Sequence, residues 1–67
     1  MIYGTVERWE LETIDRNGDQ QQHSFWNWDD ATEAFRKEKQ REDILRATVY
    51  AVQQRSGWKI TTWNFTR

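Results

Sequence analysis

Sixty-seven residues with no cysteine, one histidine and a formal net charge of −1 make a single domain over residues 1–67. They exclude a disulfide framework and a Cys/His zinc site. No apolar run approaches the roughly 20 residues of a membrane span, and "MIYGTVERWE" lacks the basic-then-apolar layout of a signal peptide. The chain therefore reads as a complete, soluble, cytoplasmic protein with no cofactor and no membrane partner.

The first thirteen apolar-rich positions, "IYGTVERWELETI" (2–14), alternate as a strand does. The phase changes along the way: Ile2 and Val6 lie at even positions, Trp9 and Leu11 at odd ones. A β-bulge near Glu7–Arg8 would let both pairs face the core. "DRNGD" is a hairpin turn, with Asn17-Gly18 expected at positive φ. "QQQHSFW" returns as a polar, solvated or edge strand.

A helix follows over 30–41, "DATEAFRKEKQR". Asp30 and Glu33 have capping-box spacing, with Asp30 as N-cap, and Asp29 suits the positive end of the helix dipole. Asn27 as N-cap, with Trp26 stapled onto Ala31, is the other option. The apolar stripe Ala31, Ala34 and Phe35 is narrow, and Arg36, Lys37, Lys39 and Arg41 form a solvated basic face. "ILRATVYAVQQ", a turn at "RSG" (55–57) and "WKITTWNFT" make a second hairpin, with another phase shift between Ile60 and Trp63.

The fold class is α+β in the order β-β-α-β-β. The long N- and C-terminal strands are expected to pair in one bent, four-stranded antiparallel sheet carrying the helix on one face. A chain this short buries only about 60% of its unfolded surface. Most of its five tryptophans are therefore expected in the core. Of Trp26 and Trp28 in "FWNWDD", one is expected inside and the other half exposed.

Catalysis is hard to build from these residues. His23 and Ser24 are strand neighbours and point to opposite faces, capping accounts for Asp29 and Asp30 better than a metal does, and small domains rarely hold a pocket of about 300 Å³. The charge is asymmetric. Residues 1–34 hold two Arg against eight carboxylates, net −6, and residues 35–67 hold eight Lys/Arg against three, net +5. An acidic face of this kind can dock on a basic surface of a partner.

The helix entry "WDDATEAFRKEKQ" and the following "RATVYAVQQRSGWKITTWNF" give a layout that resembles small phage and mobile-element inhibitor proteins, anti-CRISPR proteins among them. The resemblance implies a non-catalytic inhibitor that blocks a larger host protein or protein–RNA complex. The partner-binding candidates are the acidic hairpin, Glu7, Glu10, Glu12, Asp15 and Asp19, with Trp28 and Asp29. One alternative is a single-strand nucleic-acid binder using Trp58, Lys59, Trp63 and Arg67, which the sequence pI of about 5.7 argues against. The other is a strand-edge homodimer.

Overall fold

The computed structural model describes residues 5–67. Strand β1 (Val6–Asp15), strand β2 (Gln20–Phe25), helix α1 (Trp28–Lys39), strand β3 (Ile44–Gln53) and strand β4 (Lys59–Thr66) follow in that order. The four strands form one antiparallel sheet in the order β2-β1-β3-β4. The two hairpins are joined by β1 against β3, and the C-terminal strand β4 lies at an edge rather than beside β1.

Both phase shifts are bulges. The β1–β3 register slips between Val6 and Arg8, which puts Val6 opposite Gln53 and Trp9 opposite Ala51 on the same face. The β3–β4 register slips beside Val49, so Ile60 opposes Ala51 and Trp63 opposes Val49, again on one face. One extra residue, Glu7 or Thr62, restores the apolar phase each time. The expectation for Ile2 lies outside the described residues.

The first hairpin departs from a two-residue turn. Only Gly18 has positive φ, at 85°. Gly18 N–H bonds the Asp15 carbonyl at 3.0 Å, and Asp15 N–H bonds the Asp19 carbonyl at 3.1 Å. This is the three-residue loop in which a left-handed glycine follows a type I turn. The Asp15 carboxylate sets it by accepting from the N–H groups of Asn17 (2.9 Å) and Asp19 (3.0 Å).

The helix starts two residues before Asp30. Asn27 is the N-cap, in extended conformation. Its Oδ1 accepts from Asp30 N–H at 2.8 Å and its Nδ2 donates to the Asp30 carboxylate at 2.9 Å. Asp30 is thus N3, and it answers the cap's side-chain amide. The far end has no glycine. Instead the Arg67 guanidinium donates to the carbonyls of Lys39 (2.9 Å), Arg41 (3.0 Å) and Ile44 (3.0 Å), satisfying groups a helix C-terminus leaves open.

Helix α1 packs chiefly on β3 and β1, then on β2. The core on that side is Leu11, Ala31, Phe35, Ile44, Ala47 and Val49, with Trp9, Phe25, Ala34 and Phe65 packed against it. The expected stripe of Ala31, Ala34 and Phe35 is the buried face. The core is aliphatic and alanine-rich rather than tryptophan-rich, because small residues at 31 and 47 let the helix lie close to the sheet.

Candidate functional site

Four of the five tryptophans are left at the surface. Trp26 is 70% exposed, Trp58 71%, Trp63 41% and Trp28 36%. Neither ring of "FWNWDD" is fully core. Trp26, just before the N-cap, stands out in solvent, so the staple onto Ala31 is not closed. Trp28, the first helical residue, is the half-covered one. It lies 6.0 Å from Trp9 and 5.0 Å, edge-on, from Trp63, and Trp63 lies 5.5 Å from Phe35. These four rings form a continuous aromatic row from the middle of the sheet to its β4 edge, with centroid separations in the favourable range.

The row runs into a groove between α1 and β4, open to solvent, with a volume of about 390 Å³. This exceeds what the length of the chain suggests. Its floor is Phe35, Trp63 and Phe65, and its helical wall is Thr32, Arg36 and Lys39. Asn64 completes the β4 side. Its side chain accepts from Thr48 Oγ1 at 2.7 Å on the opposite sheet face, which leaves its main chain to the groove. Lys39 Nζ sits 5.2 Å from the Phe35 ring centre and 5.9 Å from that of Phe65, a cation–π arrangement. Among the described residues, no carboxylate reaches Arg36 or Lys39, and none lines the groove.

The acidic hairpin does not form one surface. Glu10 is only 6% exposed. One of its oxygens accepts from Gln22 Nε2 (2.7 Å) and Lys59 Nζ (2.9 Å), the other from the Arg8 guanidinium (2.9–3.0 Å). Burial pushes the Glu10 carboxyl up, but the hydrogen bonds and charges of Lys59 and Arg8 together hold it below the usual range. Glu7 pairs with Arg8 at 2.7 Å, Glu12 accepts from Gln20 at 2.6 Å, and Asp15 is spent on its turn. Asp19 is exposed at the hairpin tip. Trp28 and Asp29 stand at the start of the helix that covers the other sheet face.

The nucleic-acid set is dispersed too. Lys59 reaches across β3 to Glu10, passing 5.6 Å from the Tyr50 ring centre. Arg67 is bonded to main-chain carbonyls, and Trp58 projects from the β3–β4 turn. Only Trp63 faces the groove. Sequence reasoning assigned Arg36 and Lys39 to a solvated basic face. Their spacing of three on the helix places them together, but nothing local tells that β4 brings aromatic rings beneath them.

His23 lies opposite Leu11 and Ser24 opposite Glu10, on different sheet faces. Among the described residues, no three His, Cys, Asp or Glu side chains are grouped closely enough to hold a metal ion. No described helix is long and apolar enough to cross a membrane. Comparison with known proteins finds no matching family model, no matching curated protein and no matching solved structure.

Proposed function

We propose that this chain is a non-catalytic protein–protein interaction module whose docking surface is the α1–β4 groove with the tryptophan row at its head. The observation that carries this reading is the placement of Trp28 and Trp63, half exposed and edge-to-face, at the head of a groove whose two cations, Arg36 and Lys39, meet no carboxylate among the described residues. Tryptophan and arginine are the residues on which binding energy concentrates. Exposed rings cost a small fold stability it would gain by burying them. The resemblance to small inhibitors of phages and mobile elements accords with such a module, one that occupies a site on a larger host nucleic-acid-handling complex. The interface is moved from the acidic hairpin to the groove, because four of the hairpin's five carboxylates, Glu7, Glu10, Glu12 and Asp15, already hold a hydrogen bond or ion pair within the chain.

A second reading is single-stranded nucleic acid in the same groove, with a base on Trp63 and phosphates at Arg36 and Lys39. Two cations on a molecule of net charge −1 give it a weak electrostatic footing.

A photo-crosslinking residue at Thr32, on the groove wall, tests the reading against the same residue at Gln22, on the opposite face. The expected result is a discrete adduct from position 32 alone, destroyed by protease and not by nuclease, and lost on Trp63→Ala. A nuclease-sensitive adduct, or equal adducts from both positions, would overturn it.

A further inference from the structure

The free edge of β4 and the groove above it are two parts of one recognition site. We infer that its occupant is an extended, acidic peptide segment of a partner protein, added to β4 as a fifth strand. This deepens, and rests on, the interaction-module reading.

The backbone argument comes first. Arg67 N–H bonds the Leu45 carbonyl at 2.8 Å. Because bonded and non-bonded pairs alternate in an antiparallel ladder, residues 63 and 65 bond to β3. The N–H and C=O groups of Asn64 and Thr66 are then turned outward. Beyond residue 59, β4 reads Ile-Thr-Thr-Trp-Asn-Phe-Thr with no charge and no proline, and its bulge lies at Thr62, so residues 63–66 carry none of the devices that keep strand edges from pairing. An incoming strand meets unblocked main-chain donors and acceptors, as in other peptide readers that use an exposed edge.

Side chains then select the peptide. A strand beside β4 directs every second side chain to the helix face, over Trp63 and Phe65 and toward Arg36 and Lys39. Among the described residues no carboxylate lines the groove there. Aromatic floor and cationic wall together match acidic and apolar side chains carried at the alternate positions that face the groove. A second copy of this chain fits worse. An antiparallel β4–β4 pair would put both helices on one face, with the Arg36 and Lys39 of each copy directed at the same seam.

The test is selection of a random-peptide display library on the full chain, followed by binding titrations of the enriched peptides. Enriched sequences should carry Asp or Glu at alternate positions. Combined Arg36→Glu and Lys39→Glu should weaken binding about tenfold or more with a cooperative thermal melt retained. Methylating the peptide's backbone nitrogens at alternate residues should abolish binding in one phase and spare it in the other, because only one set faces β4. Peptides without acidic residues, or indifferent to charge reversal or methylation phase, would overturn the inference. So would oligothymidine binding in place of peptide, or a concentration-dependent dimer lost on proline substitution at Asn64. If no peptide is enriched while the Thr32 crosslink still captures a protein, strand addition falls and the interaction module stands. If the crosslink also fails, both fall.

Discussion

The helix lies between two grooves, and they differ at the rim. On the β2 side a groove of about 250 Å³ has a floor of Leu11, Phe25 and Ala34 and a rim of Glu38 and Arg41. That rim is closed on itself: Arg41 pairs with Glu38 at 3.1 Å and Asp43 at 2.8 Å. On the β4 side the floor is aromatic and the rim cations, Arg36 and Lys39, meet no carboxylate among the described residues. A charge whose partner is in place contributes to the fold and offers little to a ligand. A charge beside aromatic rings, with no ion pair among the described residues, remains available to a partner.

The floors should behave alike, and they carry the largest effects. Phe35→Ala empties the β4-side floor and should cost about 3–5 kcal/mol, while Leu11→Ala on the β2 side should cost about 2–5 kcal/mol. Urea unfolding of both variants checks this. A Phe35→Ala protein as stable as the parent would mean that the β4-side floor is not part of the core, and the comparison would fail at its base.

The sheet face opposite the helix supplies a second contrast, because it holds the buried carboxylate Glu10 paired with both Arg8 and Lys59. Glu10→Gln should lower stability by about 1–3 kcal/mol, since it leaves Lys59 and Arg8 without their buried counter-charge. The folded Glu10 carboxyl titrates below its unfolded value, so its contribution is fully present above the ordinary range near pH 4. It is lost as pH falls through the lower folded value. Melts of parent and Glu10→Gln should therefore converge as pH drops below about 4. Parallel curves would show that the network contributes nothing specific.

Asn27→Ala should follow at about 1 kcal/mol, the usual worth of an N-cap, and should loosen Trp28. Increased quenching of tryptophan fluorescence alongside the lower melt would report both. Unchanged quenching would mean that Trp9 and Trp63 hold the ring without the cap.

What the sequence made legible follows from how local each signal is. Strand order along the chain, both bulges and the helix stripe were readable, because alternation and its breaks at Glu7 and beside Thr62 are one-dimensional facts. The helix start was misplaced because Asp30 with Glu33 and Asn27 with Asp30 have the same spacing; side-chain geometry, not spacing, chose Asn27. The tryptophans were misassigned because thin aliphatic composition argues for aromatic burial, whereas alanines at 31 and 47 close the core without them. Arg67 looked like a free basic residue because the carbonyls it satisfies lie 23, 26 and 28 residues away. The groove itself joins positions 32–39 to 63–65, and no periodicity within either segment announces their meeting.

The smallest expected effect is the most telling for the comparison. Arg36→Glu should leave stability within about 0.5 kcal/mol of the parent, the normal range for surface changes. The new carboxylate would gain an i,i+3 partner in Lys39 and would oppose the helix dipole near its negative end, two small contributions of opposite sign. For a domain of this size that difference moves the melting temperature by only about 2–4 °C. Removing Arg41 from the β2-side rim should instead give a small drop that salt diminishes, because paired charges are lost there. If Arg36→Glu fell further than Arg41→Ala, Arg36 would have a structural partner, and the β4-side rim would be no more available than its counterpart. If the order is as expected, the two grooves differ in the way the geometry indicates: one rim closed within the fold, the other open to an acidic partner.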